Sequence, residues 1–319
     1  MSNSQTIKIG VIGVGYLGEF HIQQLQTIAD IKIVGFSDEN SKRAKDICEK
    51  YDVQFYSNKS DLIELCDGIV IATPTNSHYE IAANILNNDK HVFIEKPITA
   101  TIKEADHLIE LANKKELLIQ VGHIERFNPA FILLKEKNMS AQFIEVHRLA
   151  SFKSRGDDTS VVLDLMIHDI DLLINLIDSP INEIIADGIS VISDNIDLAN
   201  VKLIFKNGCV ANLTASRISN KSMRKIRVFE KKLYTSIDLL NKEISEYNAI
   251  QNQDNQDFIF NVNKIKVQEQ DALACELIYF CDAIFNKDYN NKNVSSAILA
   301  LDVANQINHI IQNKHNHSK

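Results

Sequence analysis

Asp164, His168 and Asp171 lie in VVLDLMIHDIDLLINLI, residues 161 to 177, a segment otherwise so apolar that a helix built from it should be buried. At 3.6 residues per turn these three and Asn175 fall within an arc of roughly 60°, a single stripe. Leu165, Met166, Ile170, Leu172, Leu173, Leu176 and Ile177 occupy most of the remaining circumference, so the stripe faces either water or a polar cavity. A solvated face carries Lys, Glu or Gln over a broad arc. This one is narrow, short-chained and titratable, the composition of acid–base chemistry. Asp169 falls on the apolar side, and the spacing gives no account of it.

A second set of candidates opens the chain. IKIGVIG runs into Gly13-Val-Gly15-Tyr16-Leu17-Gly18 and then into a helical pattern. In that strand-turn-helix context Gly13 permits a tight turn, Gly15 lets backbone approach a pyrophosphate, and Gly18 allows close helix packing. The phosphates of a dinucleotide would sit at the helix N-terminus, where unpaired N–H groups favour negative charge. About twenty residues on, the next strand ends at Asp38, whose carboxylate can take the adenine-ribose hydroxyls and repel a 2'-phosphate; NAD is expected in preference to NADP. Lys42 and Arg43 nearby work against that preference.

Ligands of open parallel sheets gather outside the carboxyl ends of the strands. There the sequence puts Thr73-Pro74-Thr75-Asn76-Ser77-His78 and Glu95-Lys96-Pro97. The positions expected to contact the dinucleotide are thus Gly13, Gly15, Tyr16, Leu17, Gly18, Asp38, Thr73, Pro74, Asn76, His78, Glu95 and Lys96. Lys96 reads either as a solvated loop lysine or as a site group: an amine crowded by a positive nicotinamide gives up its proton more readily, which suits proton exchange near neutrality.

These groups need a frame. From residue 7 to about 121, β-branched runs alternate strictly with helical patterns, which implies right-handed crossovers and a doubly wound parallel sheet. Ser77-x-x-Glu80 and Thr101-x-x-Glu104 read as capping boxes. Asn128-Pro129 reads as an N-cap with proline at the first helical position, opening a helix through Lys137. Beyond residues 161 to 177, strand patterns follow one another without helices, with Asn207-Gly208 marking a tight hairpin. The expected architecture is therefore α/β: a Rossmann domain over 1–122, then an α+β domain over 123–319 with a mostly antiparallel sheet for substrate binding and oligomerisation. Residues 241 to 263, rich in Asn, Gln and Asp, read as irregular or exposed. Helices at about 271–286 and 294–313 close the chain, and KHNHSK reads as a polar tail.

With 319 residues, 45% of them apolar, the chain can build two cores; its net charge of −8 argues against a nucleic-acid partner, which needs a basic face. No apolar run approaches the ~20 residues of a membrane span, and no leader is evident, so the expectation is a cytoplasmic protein. Five scattered cysteines without a CxxC pair suggest neither a disulfide framework nor structural zinc. Asp164 and His168 lack a third ligand at suitable spacing, so no metal is expected.

Taken together, GVGYLG, TPTNSH, EKP, the Asp-x-x-x-His helix and the closing SSAILALDVANQI resemble the glucose-fructose oxidoreductase and inositol dehydrogenase (Gfo/Idh/MocA) family along nearly the whole chain. The resemblance implies that Lys96, Asp164 and His168 meet at a substrate hydroxyl beside the nicotinamide, with the polar stripe lining the cleft between domains. GHIERFNP at 122–129, HRLASFKSR, VVLDLMIHDID and NLTASR resemble the branch of UDP-N-acetylglucosamine 3-dehydrogenases, which oxidise a ring hydroxyl ahead of an amino transfer in lipid A building blocks. Carried over, this implies a nucleotide-sugar substrate, with Arg148, Lys153, Arg155 and Arg217 as candidates for its diphosphate and Arg126 and Asp164 as further substrate-binding residues. Surface ion pairs are the competing reading for each arginine. RGDDTS departs from the branch's usual string. A dehydrogenase of a free polyol such as inositol, and a non-catalytic NAD-binding sensor, are the alternatives, and a homodimer or homotetramer is the expected assembly.

Overall fold

The structure is a computed structural model and describes residues 6–137, 139–152, 159–251 and 258–317. The chain divides into two compact units, Met1–Ile124 with Asp271–Ile298, and Glu125–Gln270 with Leu299–Lys319.

The first unit runs β1 (Ile7–Ile12), α1 (Tyr16–Leu25), β2 (Ile31–Ser37), α2 (Ser41–Tyr51), α3 (Lys59–Leu65), β3 (Gly68–Ile71), α4 (His78–Asn87), β4 (His91–Glu95), α5 (Ile102–Lys114) and β5 (Ile119–Gly122). Its strands are parallel in the order β2-β1-β3-β4-β5, the doubly wound sheet expected from the strand–helix alternation. Because helices cover both faces, β3, β4 and β5 are buried at every position, His91, Glu95 and Gln120 included. The Thr101 capping box forms in full. The one expected at Ser77 does not: a 3₁₀ turn over Thr75–Ser77 precedes α4, and the Ser77 hydroxyl donates to the Pro74 carbonyl, 2.8 Å away, instead of capping. Helix α3 went unforeseen, although Asn58 caps it by accepting from Ser60 N.

The second unit continues with α6 (Pro129–Lys135), β6 (Phe143–Leu149), a π turn (Val162–Met166) leading into α7 (Ile167–Leu176), and β7 (Ile181–Ile189), β8 (Leu198–Phe205), β9 (Val210–Ser216), β10 (Met223–Glu230), β11 (Leu233–Asp238), β12 (Glu243–Gln251) and β13 (Phe258–Lys266). These form one eight-stranded sheet, β13-β12-β11-β10-β6-β9-β8-β7, antiparallel except for the β6–β9 pair. As expected, Asn128 caps α6. At the β8–β9 hairpin only Gly208 takes a left-handed φ, +88°, while Asn207 Oδ1 accepts from Cys209 N.

Three expectations are corrected. Residues 243–251 and 258–263 are strands and not irregular, although many of their described side chains are exposed, as the other half of that expectation had it: β12 and β13 pair from Glu243↔Lys266 to Gln251↔Phe258. Their Asn and Gln content reflects position at the sheet edge, where backbone pairing and not side-chain burial holds the strands. The helix of residues 161 to 177 is not regular either; its first turn is π, with hydrogen bonds spaced five residues apart, so a 3.6-residue wheel misplaces Asp164 against His168. Finally, α8 (Ala272–Asn286), expected in the second domain, packs on the first unit. Its Leu277, Phe280, Cys281 and Ile284 share a core with Ile9, Ile22, Phe36 and Phe93. Helix α9 (Lys292–His317) crosses the division at residues 298 and 299. No helix among the described residues is long and apolar enough to cross a membrane.

Phe280 is fully buried and meets Phe93 edge-on at 5.9 Å. Phe280→Ala should lower stability by about 3–5 kcal/mol in chemical denaturation. Native-state hydrogen exchange should speed up in β1 and β4 more than in β8 and β9.

Candidate functional site

At the end of β1 the chain turns at Gly13, φ +87°, whose N–H donates to the Ser37 carbonyl at 2.8 Å. Helix α1 presses on this turn so closely that a Cβ on Gly18 would lie 1.9 Å from the Gly13 oxygen. A Cβ on Gly15 would meet nothing within 4 Å, so no protein packing requires glycine there. The space it leaves adjoins a cavity of about 470 Å³ lined by Gly13, Gly15, Asp38, Thr73, Pro74 and Asn76 of the expected set. Ser37, Glu39, Lys59, Ala72 and Ser77 line it as well. The start of α1, where Gly15 brings no side chain to cap the helix, suits a pyrophosphate. The residues present therefore fit a dinucleotide.

Asp38 shapes the cradle, its two oxygens accepting from Val14 N and Asn40 N at 2.7 Å each. Arg43 turns into the glycine turn, donating to the Val14 carbonyl at 2.8 Å, the Gly15 carbonyl at 3.3 Å and Glu19. The Lys50 hydrogen bond, followed by that of Arg43, pulls the Glu19 carboxyl down to about 2. Tyr16 and Leu17 stand exposed on the first turn of α1, and neither they nor Gly18, His78, Glu95 and Lys96 line the cavity.

Lys96, half-buried, follows directly on β4. Glu95 turns inward: Oε1 lies 2.7 Å from His21 Nε2, and Oε2 accepts from Lys96 N at 3.3 Å. Burial pushes the Glu95 carboxyl up, but the His21 hydrogen bond and charge outweigh it and hold the group below the usual carboxylate range. On the other side of Lys96 the Pro97 carbonyl meets His78 Nδ1 at 2.9 Å, and His78 Nε2 meets the Thr73 carbonyl at 2.9 Å. His78 thus joins the two strand-end loops. Sequence reasoning missed His21; its signal is a histidine one turn past Gly18, on the face of α1 that must be buried.

In the second unit Asp164 and His168 are half-buried, while Asp169 and Asp171 are buried. The expected stripe is therefore split. Asp171 takes Arg126 through both carboxylate oxygens, with Nε donating at 2.7 Å. Asp169 does the same with Arg148, at 2.8 and 2.7 Å, and Arg148 also donates to Glu125 at 2.8 Å. Burial raises the Glu125 carboxyl, yet the charges of Arg148 and Arg224 bring it below its usual range. This accounts for Asp169: an ionised group on the apolar side of a helix survives only with a buried partner. The partner was legible, since Ile144, Val146 and Arg148 alternate onto one buried face of β6.

The arginines expected to bind substrate are thus engaged otherwise, and Lys153, expected with them, lies outside the described residues. Arg148 is 3% exposed and held by two carboxylates; Arg126 is held by Asp171. Arg217, also buried, donates to the Thr159 and Ile196 carbonyls and lies 3.5 Å from Asp197. Arg155 lies outside the described residues. Among the described residues no three His, Cys, Asp or Glu side chains gather as a metal ion would need. Arg148→Met should destabilise the fold by about 3–5 kcal/mol in urea titration, because it strands buried carboxylates. It should leave KM unchanged in the folded fraction, whereas a diphosphate ligand would chiefly lose KM.

Comparison with known proteins agrees with this layout. The model of the oxidoreductase family with NAD-binding Rossmann fold, Gfo/Idh/MocA, matches residues 7–123, and that of the Gfo/Idh/MocA C-terminal domain matches residues 139–232. UDP-N-acetylglucosamine 3-dehydrogenase of Acidithiobacillus ferrooxidans is 35% identical over 279 residues, 87% of this chain and 88% of that protein. A solved structure of that organism's UDP-N-acetylglucosamine 3-dehydrogenase superposes with a TM-score of 0.88 at 32% identity, covering 96% of this chain and 98% of that one. Myo-inositol 2-dehydrogenase of Thermotoga maritima is 33% identical over 133 residues, 41% of this chain and 40% of that protein. Matched in both units, and by a relative of similar length, the chain belongs to the Gfo/Idh/MocA family of oxidoreductases, with its NAD-binding Rossmann fold.

Proposed function

We propose that the chain is an NAD-dependent dehydrogenase that oxidises the 3-hydroxyl of a UDP-N-acetylglucosamine-like nucleotide-sugar to a ketone. The observation that carries this reading is the 35% identity, over 87% of the chain, with a relative named for that reaction. Gly13, Gly15, Asp38 and Thr73 of the glycine cradle would hold NAD, which would supply the hydride acceptor. His168 takes the hydroxyl proton, and Asp164, four residues earlier, orients the imidazole and stabilises its charged form. Lys96 hydrogen-bonds the reacting oxygen. Preference for NAD over NADP is supported by the Asp38 and Glu39 carboxylates on the cavity lining and by Arg43, whose guanidinium is committed to the glycine turn. Homo-oligomerisation is supported by one face of the second unit's sheet, where Phe143, Phe229, Tyr234 and Tyr247 form a ladder of rings 6.0, 5.0 and 4.6 Å apart. Light scattering should return the mass of at least two chains.

The direct test follows NADH formation with UDP-N-acetylglucosamine, its uronate and free inositols. UDP-sugar should be oxidised, faster with NAD than with NADP. Lys96→Ala and His168→Ala should each bind NAD normally yet lose at least about 100-fold in turnover. NAD binding without oxidation of any UDP-sugar, or near-normal rates in both variants, would overturn the reading.

A further inference from the structure

We propose that His21 is a positioning residue: through Glu95 it ties α1, the helix that follows the glycine turn, to the backbone of Lys96. The proposal rests on the reading in which Lys96 hydrogen-bonds the substrate oxygen. Its geometric basis is a chain of three groups from separate elements. His21 is fully buried, with Nε2 2.7 Å from Glu95 Oε1, and the other oxygen of that carboxylate accepts from Lys96 N at 3.3 Å. Glu95 packs close against β5, where a Cβ on Gly122 would stand only 3.0 Å from Oε2. Phe93 holds the imidazole from the side, edge-on at 5.3 Å.

Plain packing does not ask for such a pair. Apolar side chains of similar volume would fill the space without the desolvation penalty of a buried carboxylate, and breaking the pair leaves that charge unmatched. Moreover, among the described residues His21 Nδ1 has no hydrogen-bond partner, and the ring's polar contact goes through Nε2 to Glu95. The effect is to pin Lys96 at its own amide, while His78 pins it one residue on, at the Pro97 carbonyl. A lysine has four rotatable side-chain bonds, so the bearing of its amine depends on how firmly its Cα is held. His21 lies three residues past Gly18, so the helix that offers its N-terminus to the pyrophosphate also sets the lysine corner.

The test compares His21→Leu, which removes both ring nitrogens, with His21→Gln, whose amide can still donate to Glu95. The first readout needs no sugar: reductive methylation of the full-length protein, with mass spectrometry reporting Lys96 against Lys90 and Lys115. His21→Leu should change Lys96 reactivity severalfold and leave the other two unchanged, and His21→Gln should restore it. The second readout is turnover, where His21→Leu should lose about tenfold in kcat with little change in KM for NAD, recovered by His21→Gln. If His21→Leu does not fold, Glu95→Gln, which weakens the same link, should shift Lys96 reactivity in the same way. A folded His21→Leu protein with unaltered Lys96 reactivity overturns the proposal, as does a His21→Gln protein no better than His21→Leu. Absence of sugar oxidation by the unaltered protein would sink the substrate reading alone, because the methylation result stands without it.

Discussion

The first unit depends on how close α1 comes to the turn that launches it. With Gly13 in a left-handed conformation and no Cβ on Gly18, helix and carbonyl meet at a distance no side chain would tolerate. Three consequences follow from that one approach. Gly13 and Gly15, at the start of α1, line the cavity. Asp38 can reach across from β2 to hold Val14, and Arg43 can clamp the Val14 and Gly15 carbonyls from α2. One helical turn further, His21 arrives against Glu95. A longer side chain at position 18 would lift α1 and disturb all three.

In the second unit the equivalent constraint is electrostatic. Helix α7 is anchored by two bidentate arginine–aspartate pairs, Arg148 to Asp169 on β6 and Arg126 to Asp171 beside the start of α6. Such pairs add little net stability, since desolvation offsets most of the Coulombic gain, but a shifted register would strand three buried charges, Arg148, Asp169 and Asp171. They therefore select one rotation of α7 about its axis. With that rotation chosen, His168 and Asp164 stay half-buried, and the π turn ahead of α7 sets Asp164 apart from the helical repeat. Extra residues of this kind inside helices are frequent at functional sites.

What could be read in advance followed from local chemistry. The glycine turn, the Thr101 box, the Asn128 cap and the alternation of strands and helices are each decided within a few residues, and all appear in the structure. Interactions over long sequence separations were not legible in the same way. His21 meets Glu95 across 74 positions, Arg224 reaches Glu125 across 99, and α8 returns to β1 after Glu125–Gln270 of the second unit have intervened. The arginines illustrate the difficulty. Their type suits a diphosphate as well as a buried carboxylate, and only the register of β6 against α7 separates the two. For β12 and β13 composition misled, because a pairing held by backbone amides leaves few marks on side-chain polarity.

The engagement of Arg43 bears on cofactor choice in a way that charge counting would miss. Counted by proximity in sequence, Lys42 and Arg43 offset Asp38 and Glu39, and the balance between a ribose hydroxyl and a 2'-phosphate looks even. Charges act through position, however. Arg43 directs its donors at two backbone carbonyls and at Glu19, whose carboxyl is held well below its usual range, so this guanidinium is already engaged. Asp38 and Glu39 remain on the cavity lining, and Lys59, which also lines it, pairs with Glu39 at 3.2 Å. To recruit either cation, a 2'-phosphate would have to break an existing ion pair and then sit beside the carboxylate it displaced. A ribose hydroxyl needs only a spare acceptor lone pair on Asp38, which a carboxylate accepting two hydrogen bonds still has.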